Sequence, residues 1–274
     1  MLPRATLLLG SIGCPAPPGG GGEPAGAVPA IQARGKLVIA TDAGYVPFEV
    51  IEPDGRITGF DIDLATEVAK DLGVALEVRN VAWDGIVGEL RTGKVDAIFS
   101  GMSITPEREQ VVAFSQPYFW IGQVVVKRQG DERIRSHTDL DAEGMTVAVQ
   151  QSTTGEEAVR RMLPRATLLR FPKADAAGLA VIQGKADAVV FDHPYLMRYV
   201  AERPEGGLEG IWAPFTREPI GAAVRKDSLD LQQAIDATVA RLRASGEFDR
   251  MTRRSFGDAA GVVPAEAAAE APPK

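Results

Sequence analysis

The sequence predicts an α/β protein of two lobes, each an α/β sheet, connected by two hinge crossings. Three observations lead there. Short apolar runs rich in β-branched residues alternate with helical patterns from Gly35 onward, the signature of α/β layering. The alternation breaks and restarts near Val124, which marks a second unit. The stretch from Ile220 offers only a strand and two helical patterns, too little for a core of its own, so it returns to complete the first lobe.

The elements follow in order. KLVIAT reads as a strand, FEVIEPDGRITGF as a hairpin turned at Asp54-Gly55, and DIDLATEVAKDLG as a helix started by Asp61 and stopped by Gly73. ALEVRNV is a strand, WDGIVGELRTG a helix and VDAIFS a strand. In the second unit TVAVQQSTTGEEAVRRML gives strand, loop and helix, then ATLLRF a strand, DAAGLAVIQG a helix and ADAVVFD a strand. The crossings fall near Trp120 to Gly122 and Phe215 to Pro219. The first lobe therefore takes residues 35–121 and 218–256, and the second takes 122–217.

Composition narrows the function classes. The chain has 274 residues, 45% hydrophobic and 24% charged, with a net charge of −7, which gives no basic footprint for nucleic acid. Cys14 is the single cysteine, and His137 and His193 are the only histidines, so neither a disulfide nor a zinc cluster is expected and no cofactor is implied. Residues 1–14 read as an export signal too short to span a bilayer. Its end, SIGC, looks like a bacterial lipobox that would lipidate Cys14, although Ser11 stands where leucine is usual. Residues 15–34 are rich in Pro, Gly and Ala and read as a flexible linker, and 257–274 as a disordered tail. MLPRATLL occurs both at Met1–Leu8 and at Met162–Leu169; two copies make no solenoid period, and the repeat has no functional explanation.

One segment points to chemistry. In SGMSITPERE, Thr105 suits a helix N-cap and Pro106 the first helical position, which puts Arg108 where the helix dipole disfavours a cation by about 0.3–1 kcal/mol. An anion answers that placement, because free N–H groups and a guanidinium fork aimed at one point make a carboxylate or phosphate site. Open α/β sheets bind ligands beyond the carboxyl ends of their strands. Those ends carry Asp42 and Tyr45 in DAGYVPF, Trp83 with Asp84, the SGMSITPER segment, QQSTTG and Phe191-Asp192.

Taken together, TDAGYVPFE, GFDIDLA, DAIFSGMSITPER, the STTG loop and DAVVFD resemble, in order and spacing, the polar amino acid family of periplasmic substrate-binding proteins. These serve ABC importers for histidine, lysine/arginine/ornithine or glutamine. The resemblance covers Gly35 to Phe256 and implies a two-lobed periplasmic binding protein-like fold that closes over one L-amino acid. It assigns Arg108 to the α-carboxylate, helped by the Ser103 N–H and by Thr153 and Thr154 on the opposite lobe. Asp192, the Gly101 carbonyl and the Ser103 hydroxyl would take the ammonium. Tyr45 and Trp83 would flank the side chain, with Asp42 and Ser100 at the far end and Gln150 meeting the ligand from the second lobe. Asp42 tilts the expectation toward arginine or another basic amino acid, with glutamine next. The resemblance also implies a permease partner, a monomer, and a periplasmic or cell-surface location, tethered through Cys14. Two rival readings stand beside it: a cyclohexadienyl dehydratase-like lyase using His193 with Asp192, and a free-standing amino acid sensor.

Overall fold

The computed structural model describes residues 26–257; Cys14, the signal, most of the linker and the tail lie outside them. The described residues open with helix α1 (Ala27–Arg34), followed by strand β1 (Lys36–Thr41), the hairpin β2 (Val50–Ile51) and β3 (Ile57–Thr58), and α2 (Phe60–Leu72). Then come β4 (Ala75–Asn80), α3 (Trp83–Arg91), β5 (Ala97–Ile98), the single turn α4 (Pro106–Glu109) and β6 (Ala113–Phe114). After the first crossing, β7 (Phe119–Ile121), the second lobe contains β8 (Gln123–Arg128), β9 (Thr146–Gln150), α5 (Thr154–Met162), β10 (Thr167–Phe171) and α6 (Ala174–Ile182). It ends with β11 (Ala188–Asp192), α7 (His193–Ala201) and β12 (Leu208–Ile211). The return is β13 (Glu218–Ile220), β14 (Ala223–Val224), α8 (Leu229–Ala244) and α9 (Glu247–Phe256).

Each lobe holds one five-stranded sheet, ordered β4-β1-β5-β14-β6 in the first and β10-β9-β11-β8-β12 in the second. In both, the first three strands and the fifth run one way, and the fourth runs antiparallel between its neighbours. Helices cover both faces, which is why KLVIAT is apolar almost throughout: Leu37 and Ile39 pack toward α2 and α8, while Val38 and Ala40 pack toward α3. The second lobe repeats the plan, with Val124 and Val126 on one face and Val125, Val147 and Val149 on the other. The crossings β7 and β13 pair antiparallel, Glu218 opposite Ile121 and Ile220 opposite Phe119, making a two-stranded hinge between the sheets.

Two local expectations are corrected. Residues 27–34 of the expected linker form α1, in which Ile31 is buried in the first lobe's core and the Val28 N–H donates to Asp230 on α8 at 2.8 Å. The Ala-Ile-Gln-Ala run supplies helix formers that Pro/Gly composition upstream obscures. Helix α2 begins at Phe60 behind Gly59, whose side the Phe48 carbonyl approaches so closely that a Cβ would sit 2.4 Å away. Asp61 thus lies inside the first turn, with its carboxylate turned into the core.

Candidate functional site

The carboxyl ends of β1, β5, β9 and β11 face one another across the hinge. Around the cavity there, about 350 Å³, stand Asp42, Tyr45, Trp83, Ser100, Gly101, Ser103, Arg108, Gln150, Thr153, Thr154, Phe191 and Asp192. All eleven expected ligand-binding residues meet in one place. Phe191 is the addition.

Arg108 sits where the sequence puts it. Thr105 caps α4, its hydroxyl accepting from the Arg108 N–H at 3.3 Å, and Pro106 is the first helical residue. The guanidinium donates to the Ser103 carbonyl at 2.8 Å and lies 5.1 Å from the centre of the Trp83 ring. Burial pushes its pKa down from the usual arginine value, so the cation is held in a place that rewards an anion. Opposite, Thr153 caps α5, accepting from the Glu156 N–H at 3.3 Å and donating to the Gln150 carbonyl at 2.8 Å. The start of α5 thereby points at the cavity.

Asp192 occupies the N-cap position of α7 without capping it. Its carboxylate instead accepts from Tyr45 Oη and from Gln123 Nε2. Burial, and then the charge of nearby Glu218, raise its pKa to about 7. Glu218 itself, at the hinge, accepts from the Ser103 hydroxyl at 2.7 Å, from Thr216 Oγ1 at 2.7 Å and from Gln123 Nε2 at 3.1 Å. Gln123 opens β8 just past the first crossing and Glu218 opens β13 in the second; Gln123 holds Asp192, Glu218 holds Ser103, and neither stands in a motif of its own, so both escaped the sequence reading.

Beneath the floor, Asp61 accepts from the Gly101 N–H at 2.6 Å and from Tyr118 Oη at 2.9 Å, and burial raises its pKa to about 7. That bond fixes Gly101 at φ 49°, where a Cβ would stand 2.2 Å from the Tyr45 ring. Glycine is therefore required for the ring to lie against the strand end. Glu49, fully buried, is pushed above the ordinary carboxylate range by burial and by Asp61.

The sequence leaves Asp42 as a free acid for a cationic ligand tip; the structure does not. Lys173, from the second lobe, donates to Asp42 Oδ1, and Gln150 Nε2 donates to Oδ2 at 3.2 Å. Ser100 holds the same residue by accepting its backbone N–H at 2.9 Å. Trp83 also does more than offer a face: its indole N–H donates to the Ser152 carbonyl across the cleft at 2.8 Å. Gln151 reaches Asp84 at 3.1 Å beside it. His193 takes no part in the cavity. It is buried edge-on to Trp212, its Nε2 without a partner, and burial lowers its pKa.

Residues 37–258 match the model of the bacterial extracellular solute-binding proteins, family 3. The chain belongs to that family. A probable histidine-binding protein of Neisseria gonorrhoeae is 32% identical over 89% of this chain and 91% of its own. Among solved structures, an ancestral amino acid-binding protein, a precursor of cyclohexadienyl dehydratase, superposes with a TM-score of 0.79 at 37% identity, covering 85% of this chain and all of that one. An ancestral arginine-binding protein, solved with arginine and also with glutamine, gives a TM-score of 0.78 at 36% identity over 82% of this chain and 99% of its own. The family is one of extracellular solute-binding proteins, and these relatives are binding proteins for amino acids. Among the described residues no group of side chains suits a metal ion, and no helix is long and apolar enough to cross a membrane.

Proposed function

We propose that the protein captures one polar L-amino acid between its lobes and presents it to the permease of an ABC importer. The observation that carries this reading is a pair of opposite charges at one cavity. Arg108 of the first lobe faces the start of α5, and Asp192 of the second lobe is held by Tyr45 of the first. A free amino acid bears a carboxylate and an ammonium on one carbon, so it satisfies both ends at once, and only the closed state collects contacts from both lobes. Arg108 with the N–H groups at Ser103, Thr153 and Thr154 takes the carboxylate; Asp192, the Gly101 carbonyl and the Ser103 hydroxyl take the ammonium. The side chain then runs between Tyr45 and Trp83 toward Asp42, Ser100 and Gln150.

Arginine, or a related basic amino acid, is the first expectation and glutamine the second. Support comes from Asp42 at the far end, held by Lys173 in the unliganded protein, and from an ancestral relative solved with each of these ligands. A thermal-shift panel of the twenty L-amino acids tests the reading: the largest stabilisation is expected from a polar member, and a panel with no stabilising amino acid would refute it. Anchoring through a lipidated Cys14 is the companion proposal. Fractionation of a Cys14→Ser variant should release the protein from the membrane.

A further inference from the structure

Lys173 stands where a cation is least expected. It occupies the N-cap position of α6, at the positive end of the helix dipole, with no side-chain cap. Its ammonium crosses the cleft to Asp42, which is buried at 6% exposure, and also lies 3.4 Å from the Ala43 carbonyl. The two partners are unequal. The Lys173 side chain is 47% exposed against 8% for Asp42, so the lysine can leave for water while the acid cannot. Room for that movement exists, because a second and larger space of about 750 Å³ adjoins the ligand cavity, with Asp42, Tyr45 and Gln150 on the shared wall and Lys173 on the outer side.

We infer that Lys173 is an exchangeable counter-ion that sets the ligand class of the site. It remains on Asp42 when the ligand's side chain ends in a neutral carboxamide or ureido group, and withdraws into the outer space when the ligand brings its own guanidinium or ammonium. This rests on the amino acid-binding reading above and adds to it. A buried carboxylate facing a neutral tip without a counter-charge is penalised by its desolvation, so Asp42 alone would select strictly for cations. A fixed lysine would do the reverse, repelling a cationic tip. An exchangeable one admits both classes and taxes the cationic ligand by the bond it must displace.

Calorimetry with arginine and glutamine, on the parent and on Lys173→Met, reads the exchange directly. Methionine keeps the stem and removes the charge. Arginine should bind more tightly and glutamine more weakly in the variant, moving the glutamine-to-arginine Kd ratio by at least about tenfold, a figure kept small because the lysine is half exposed. In an Asp42→Asn background the same Lys173→Met change should leave the ratio within about threefold, since no acid remains to compensate. An unchanged ratio in Lys173→Met, or an equal shift in the Asp42→Asn background, overturns the inference while the parent's binding leaves the functional reading intact. A parent that binds neither amino acid counts against both.

Discussion

Replacing Arg108 by alanine separates binding from folding more cleanly than any other change at the site. In the unliganded protein the guanidinium has two identified partners, the Ser103 carbonyl at 2.8 Å and the Trp83 ring at 5.1 Å. Together these are worth about 1–2 kcal/mol, and the burial that depresses its pKa opposes that gain. The net loss of stability should be below about 1 kcal/mol, or less than roughly 2–4 °C in Tm for a two-lobed chain of this size. Ligand binding should suffer far more. The ligand carboxylate would face N–H dipoles alone, and removing one partner of a desolvated, hydrogen-bonded charge pair costs about 3–5 kcal/mol. That corresponds to a Kd raised by roughly two to three and a half orders of magnitude. At a ligand concentration of 100 times the parent's Kd, where the parent gains about 2.7 kcal/mol, the variant should show almost no ligand-dependent shift. Calorimetry giving a Kd within fivefold of the parent, in a variant with an ordinary unliganded Tm, would refute the assignment of the carboxylate to Arg108.

Other expectations follow from the same geometry. Asp192, raised to about 7 from an ordinary 3.8, holds a proton in the folded state that the unfolded chain has lost. Its contribution to unliganded stability is therefore full below about pH 4 and disappears as the pH rises toward 7; thermal melts across that window should be flatter for Asp192→Asn. An ammonium ligand needs the ionised form, so the parent's Kd should rise as pH falls below 7, by at most about tenfold per unit, with proton release on binding visible in buffers of different ionisation enthalpy. Trp83→Phe keeps an aromatic face and loses the indole bond to Ser152; at about 0.5–1.5 kcal/mol, it should weaken binding two- to tenfold, chiefly through faster dissociation, as stopped-flow would show. Ile31→Ala empties a fully buried position in α1 and should cost about 2–4 kcal/mol in denaturant unfolding, whereas a free linker there would cost nothing.

Strand and helix order was readable because both sheets are covered on both faces, leaving continuous apolar runs between amphipathic helices, and the cavity-lining residues cluster beyond the strand ends, where Asp42, Arg108 and Asp192 break those runs. What stayed hidden depends on the second lobe's approach to the first. Lys173 looks like any surface lysine in FPKADAA, and only the folded chain brings it to Asp42, 131 positions away. Gln123 opens β8 beside the first crossing and Glu218 lies in the second, so nothing local shows that both converge on the Asp192 side of the cavity. Trp83 was legible as an aromatic at a strand end, but its bond to Ser152 requires that residue's left-handed backbone, φ 62°, which turns the carbonyl toward the first lobe. Helix α1 was obscured by the Pro/Gly-rich stretch before it, and its stability comes from Asp230 and the α8 surface, far along the chain.

A crystal structure of the protein with its most stabilising amino acid tests the central claim directly. The ligand is expected in the cavity between the lobes, its α-carboxylate on the Arg108 guanidinium and the N–H groups of Thr153 and Thr154, and its ammonium on Asp192 in place of the Tyr45 and Gln123 donors. A ligand bound with its carboxylate away from Arg108, or seated anywhere outside that cavity, would contradict the account.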